Sequence, residues 1–186
     1  VGSLKLNTVS TPVDETFVDQ LRAAAGSRPI LLAASTHSPE EQILLKASQE
    51  VVRAGYPHLL IIAPRHSDRS QDIARLMPQA AHRSKNQLPL LGDNHFLADS
   101  FGEMSSLVTA ADIVILGGSF VPKGGHNPLE IAALSTPLIT GPSQFKNKVE
   151  FDTLQQYGQC ITVKDGATLV KQLTIWLEAL RTDGRA

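Results

Sequence analysis

An apolar run, Asp112-Ile113-Val114-Ile115-Leu116, opens directly onto Gly117-Gly118-Ser119-Phe120-Val121-Pro122-Lys123-Gly124-Gly125-His126-Asn127-Pro128-Leu129-Glu130. No other feature of the chain restricts its fold as much. The run has the unbroken apolar character of a parallel strand covered on both faces. The far end is written as a helix start, with Asn127 as N-cap, Pro128 at the first helical position and Glu130 three residues after the cap. The four glycines between them let a backbone come close to a ligand and turn its N–H groups towards it. Strand, glycine loop and capped helix, in that order, are how α/β proteins hold phosphate. On residue types alone, the segment also reads as a glycine-rich connection ending in an ordinary capping box.

The rest of the chain supplies the context such a loop needs. Apolar stretches at 30–34, 59–63, 112–116, 137–140 and 160–163 predict strands, and a weaker strand is expected within 79–91. Helical periodicity covers 14–25, 40–54, 68–77, 101–111, 128–134, 148–157 and 167–180. This alternation predicts a Rossmann-like α/β domain, a parallel sheet with right-handed crossovers and helices on both faces. The stretch 84–95 is the least regular and is expected to be a loop. With 186 residues the chain predicts a single domain.

Composition excludes more than it assigns. Seventeen basic against eighteen acidic residues give a net charge of −1, which argues against nucleic acid as a partner and against a polybasic membrane patch. No apolar run approaches the roughly 18 residues that span a bilayer. The single cysteine, Cys160, lies in a predicted buried strand and reads as a packed core thiol. Six scattered histidines match no zinc spacing, and no Asp-x-Asp pair is present, so no metal or other cofactor is expected. The first strand is not followed by Gly-x-Gly-x-x-Gly, which argues against an NAD-dependent enzyme.

Candidate binding residues gather where predicted strands end. Ser35 and Thr36 follow the first strand and suit a phosphate or sugar hydroxyl; simple N-capping of the next helix by Ser38, with Pro39 in its first turn, is the alternative. Pro64 and Arg65 end the second; the planar Arg65 fork suits phosphate, or a surface ion pair with Asp68 or Asp72. Ser100-Phe101-Gly102-Glu103 reads as a capping box, with Gly102 leaving room for a ligand at the helix end. Glu130 either closes the Asn127 box or accepts two ribose hydroxyls. Lys123 and His126 face a phosphate or a carboxylate, or simply solvent.

The segment from Gly117 to Glu130 closely resembles the signature of the Kdo transferases, glycosyltransferases that move 3-deoxy-D-manno-oct-2-ulosonic acid from its CMP conjugate onto a lipid A precursor. The resemblance continues in order through Gly2-Ser3-Leu4-Lys5, Ala34-Ser35-Thr36-His37, Ala63-Pro64-Arg65-His66, Asp99-Ser100-Phe101-Gly102-Glu103 and Gly141-Pro142. It implies the C-terminal half of a two-domain (GT-B) enzyme, the half that binds CMP-Kdo. Val1 stands where an initiator Met would be, so the chain is read as an excised domain. The family's N-terminal half brings the acceptor site, the general base and the membrane contact, which places the whole protein at the cytoplasmic face of the inner membrane and this fragment in solution.

Carried over residue by residue, the resemblance puts Pro64, Arg65, Phe101, Gly102, Glu103, Asn127, Pro128, Leu129 and Glu130 at the CMP site. Ser35, Thr36, Lys123, Gly124, Gly125 and His126 become possible donor contacts. Lys5 is placed at an interdomain hinge, where its cation would stabilise the charge that develops as CMP departs. Phe101 stands where the family usually has Met. Two other readings remain: a nucleotide-sugar epimerase or hydrolase of similar fold that takes UDP sugars, and a nucleotide-binding module without catalysis.

Overall fold

The computed structural model describes residues 12–184. Seven helices, α1(Glu15–Ala25), α2(Glu40–Arg53), α3(Ser70–Leu76), α4(Met104–Ala110), α5(Leu129–Ala132), α6(Lys148–Gln156) and α7(Gly166–Thr182), alternate with seven strands. The strands are β1(Ile30–Thr36), β2(Leu59–Pro64), β3(Ala81–His82), β4(His95–Leu97), β5(Ile113–Leu116), β6(Leu138–Thr140) and β7(Cys160–Thr162). All pairings are parallel, in the order β3-β4-β2-β1-β5-β6-β7.

Alternate residues of each strand feed two cores. Ile30, Leu32 and Ala34 pack on one face with Phe17 and Leu21 of α1, Leu107 of α4 and Phe151 of α6. Leu31 and Ala33 pack on the other with Leu44 and Val51 of α2, Ile73 of α3 and Leu169 and Leu173 of α7. Because both faces are covered, strand sequences run apolar without interruption, and this is why they were legible. Cys160 is buried, and desolvation pushes its thiol up to about 12, far from a reactive thiolate.

The structure departs from the sequence reading at several boundaries. Asp112, expected in a strand, precedes β5, and its carboxylate accepts from Ile30 N and Arg22 Nη1, each at 2.8 Å. The weak strand of 79–91 is the two-residue β3, and β4 was not anticipated. Only Phe96, Leu97 and Ala98 are apolar there, too few to give a period, and the segment becomes a strand by filling the gap between β2 and β3. The helix expected from residue 101 starts at Met104, because Gly102 takes φ +80° and breaks the helical path ahead of it. The helix expected over 128–134 is a single turn, and Pro128 stands at its N-cap.

Candidate functional site

Sheet order reverses at β1, whose neighbours are β2 on one side and β5 on the other. Crossovers leave the sheet in opposite directions there, opening a crevice beyond the strand ends. Three predicted segments meet at it. Ser35, next to last in β1, takes φ +55° at a shift in register between Ala34 and Thr36. Arg65 follows β2 and is anchored by its own N–H to Thr36 O at 3.0 Å. Gly117 follows β5; a Cβ there would lie 2.4 Å from Ser35 O and 2.7 Å from Thr36 Cα. Backbone meets backbone at that point, so only glycine fits.

The glycine loop then does something the sequence did not announce. Its N–H groups turn inward, away from the crevice. Gly118 N, Ser119 N and Phe120 N donate to the Glu40 carboxylate at 2.8, 3.1 and 2.9 Å, and His37 N donates to it at 2.8 Å. Glu40 is 0% exposed. The anion held by this nest is therefore a side chain of the protein, and the expectation that these amides face a ligand is corrected. Glu41, equally buried, takes Arg69 in a two-pronged pair at 2.7 and 3.0 Å and the Thr36 hydroxyl at 2.7 Å. Burial pushes the Glu41 carboxyl up, but the Arg69 and Thr36 hydrogen bonds outweigh it and hold the group below its ordinary value. Thr36 itself is 0% exposed with its hydroxyl committed to Glu41, so it stands behind the site and not at its surface.

Outward of this layer lies a cleft of about 200 Å³ that brings together Ser35, Arg65, His126, Asn127 and Glu130. Among the described residues, the Arg65 guanidinium and the Glu130 carboxylate hold no hydrogen bond or ion pair; Asp72, one of the candidate Arg65 partners, pairs with Arg75 instead. Asn127 Oδ1 accepts from Leu129 N at 3.0 Å and so starts α5, but Glu130 does not reach back to close a box. Pro128 is buried beneath the turn, and Leu129 is half-buried. Ser38 does not cap α2 either; that end is organised by Glu40 accepting from His37 N.

Three imidazoles sit beside the cleft. His37 Nε2 and His126 Nε2 are 2.9 Å apart, with rings 10° from parallel, and His66 lies edge-on to His37 with centroids 5.7 Å apart. Burial, then His37, Arg65, Lys146 and His66, push His126 down to about 4. Burial, followed by His66, Lys123 and Arg69, also lowers His37, with Glu41 pulling the other way. These causes describe a crevice with an excess of positive charge. Among the described residues, no group of three or more His, Cys, Asp or Glu side chains is placed to hold a metal ion.

Other predicted residues are placed elsewhere. Phe101 is 71% exposed and borders a separate depression of about 570 Å³ with Asp68, Ser84 and Asp99. Glu103 is taken by Arg83 at 2.9 and 3.1 Å and by the Ser100 hydroxyl. Gly124 and Gly125 are buried, at φ +87° and +71°, packed under Phe145 and Phe151 respectively. Lys123 is exposed near the imidazoles, and Lys5 lies outside the described residues. Sequence reasoning missed His37 and Lys146 as members of the site, and Glu40 and Glu41 as its foundation. The available sign was a pair of acids opening the helix after the first strand, which by itself reads as first-turn dipole pairing.

No family model matches the chain. It is 42% identical over 134 residues to the 3-deoxy-D-manno-octulosonic acid transferase of Haemophilus influenzae, covering 69% of this chain and 31% of that protein. The namesake from Rickettsia felis is 32% identical over 181 residues, covering 95% of this chain and 39% of that protein. The chain thus spans well under half the length of these curated relatives. The crystal structure of the C-terminal CMP-Kdo binding domain of WaaA from Acinetobacter baumannii superposes with a TM-score of 0.78 at 26% identity, over 92% of this chain and 93% of that one. Glycosyltransferases at 18% identity share the fold alone, over 40% and 44% of their length, as one half of the GT-B architecture. The chain belongs to the 3-deoxy-D-manno-octulosonic acid transferase family, in the part that corresponds to its C-terminal domain.

Proposed function

We propose that this chain is the donor-binding half of a Kdo transferase, holding CMP-Kdo while a lipid A precursor attacks from the other half. The observation that carries the reading is the meeting of Ser35, Arg65, His126, Asn127 and Glu130 in one cleft at the strand-order reversal. A nucleotide laid there finds an unpaired guanidinium for phosphate and an unpaired carboxylate for ribose hydroxyls. The printed names of the relatives support the sugar, and that of the Acinetobacter domain supports the nucleotide.

Breaking the glycosidic bond leaves negative charge on the departing phosphate and positive character on the sugar. Arg65, with Lys123 and Lys146 nearby, stabilises the former without a metal, and Lys5 adds a further cation once the cleft closes. The acceptor hydroxyl loses its proton to a base in the N-terminal half, which also makes the membrane contact on the cytoplasmic side of the inner membrane. Phe101, Gly102 and Glu103 are kept as nucleotide contacts on the resemblance alone, since Phe101 borders the other depression and Glu103 is held by Arg83 and Ser100. No helix among the described residues is long and apolar enough to cross a membrane.

The test is an NMR titration of the 186-residue chain with CMP, UMP and AMP. Shifts centred on Arg65, His126 and Glu130, strongest for CMP, support the reading. Equal response to UMP removes base selectivity and favours a UDP-sugar enzyme of similar fold. Absence of any shift at millimolar ligand overturns the site.

A further inference from the structure

We propose that His37 and His126 form a proton-sharing pair that binds the donor's phosphate together with a proton taken from solvent. The inference rests on the nucleotide reading above and adds a residue, His37, and a pH dependence to it. Two ring nitrogens 2.9 Å apart must place one hydrogen between them, one donating and the other accepting. Room for the contact is made by Gly118, where a Cβ would stand 3.1 Å from His126 Cδ2 and 3.6 Å from His37 Cδ2. Since Nε2 of His126 is engaged, Nδ1 is the nitrogen left to meet a ligand in the cleft it borders with Arg65.

The neutral pair carries two hydrogens on four ring nitrogens. One added proton gives a cation in which both Nδ1 atoms carry hydrogen and a single proton lies between the Nε2 atoms. Arg65, Lys146 and His66 oppose that charge from the His126 side, and His66, Lys123 and Arg69 oppose it from the His37 side. Glu41 favours it weakly, because Arg69 already neutralises Glu41. Glu130, across the same cleft, is left for the ribose. A phosphate diester entering here offsets the repulsion from these neighbours with its negative charge, so an added proton on the pair costs less, and ligand and proton bind cooperatively.

The test is calorimetric titration of the chain with cytidine 5′-methyl phosphate, a diester that does not itself titrate between about pH 5.5 and pH 8. Running it in buffers of different ionisation enthalpy counts the protons. The expected result is uptake of close to one proton at the acid end, with affinity falling by up to roughly tenfold per pH unit as pH rises. His37→Asn and His126→Asn should each abolish the slope, His37→Asn while retaining binding through Arg65. Without any substitution, imidazole ¹⁵N shifts of both residues should move towards the protonated form on adding the diester. Binding with a flat pH profile and no proton uptake overturns the pair and leaves the nucleotide site standing. A slope that survives His37→Asn also overturns it. Failure to bind at any pH overturns both.

Discussion

The two halves of the 117–130 segment carry the same kind of signature and do opposite work. In the first half, Gly118, Ser119 and Phe120 give their N–H groups to a fully buried Glu40 and none to the cleft. In the second, His126, Asn127 and Glu130 border the cleft, and Glu130 has no partner among the described residues. The first half is finished business energetically, with donors and acceptor satisfied in place. The second keeps unspent hydrogen-bonding capacity, and unspent capacity is what a ligand can use. A glycine loop after a strand therefore marks a place where backbone amides converge on an anion. Whether that anion comes from outside or from the chain's own Glu40 is decided elsewhere in the fold.

The contrast can be broken most directly at Glu40. Glu40→Ala strands four N–H groups, those of Gly118 and Ser119 buried and those of His37 and Phe120 part-buried, and should cost about 3–5 kcal/mol, read as a fall in the urea midpoint. Retention of the wild-type midpoint would mean the inner half is not held as described. Gly117→Ala places a methyl against the Ser35 and Thr36 backbone, where no side chain can swing away, and should cost about 3 kcal/mol in the same assay. The outer half should behave in reverse. Arg65→Ala should leave the midpoint within about 0.5 kcal/mol and weaken CMP by about 1.5–3 kcal/mol. Glu130→Gln should weaken CMP by about 1 kcal/mol and spare a phosphate ligand that lacks ribose. If Glu130→Gln instead lowers stability and leaves affinity alone, the residue belongs with the inner half.

The smallest effect compares two depressed histidines. His58 is sealed in the core: Tyr56 O can only accept, so Nδ1 carries the hydrogen at 2.9 Å and Nε2 accepts from the Ser48 hydroxyl at 2.7 Å. Burial pushes it down from 6.5 to about 4, much as it does His126. Because the unfolded chain protonates His58 first, stability is fully present above pH 6.5 and declines as pH falls towards about 4. Adding CMP should raise the His126 titration midpoint and leave that of His58 unmoved, as followed by imidazole NMR. Equal movement would indicate a global change and not a site.

Much of the fold was legible because buried parallel strands are apolar at every position. β1, β2, β5, β6 and β7 were each found to within one or two residues. β4 escaped because three apolar residues carry no period, and its pairing comes from neighbours distant in sequence. Helix starts were also found to within two residues, except at α4. The Ser100–Glu103 pattern matched a capping box, but Arg83, twenty residues earlier, claims the Glu103 carboxylate and Gly102 turns the backbone away. At the site, Arg65, Asn127 and Glu130 were visible as polar groups at strand ends and a helix start. His37 was not, because its place depends on a contact with His126 across 89 positions.

The order of most strands and helices and the turn by which Asn127 starts α5 were determined by the sequence alone. Each depends on interactions among neighbours or on apolar patterning, which a linear reading preserves. Only the tertiary structure decided that Glu40 fills the nest, that Thr36 serves Glu41, and that two histidines share a hydrogen. Those outcomes depend on which groups meet at the point where the sheet reverses its order. Sequence separations of up to 89 residues are closed there by packing of the two cores, and no local pattern records which partner arrives.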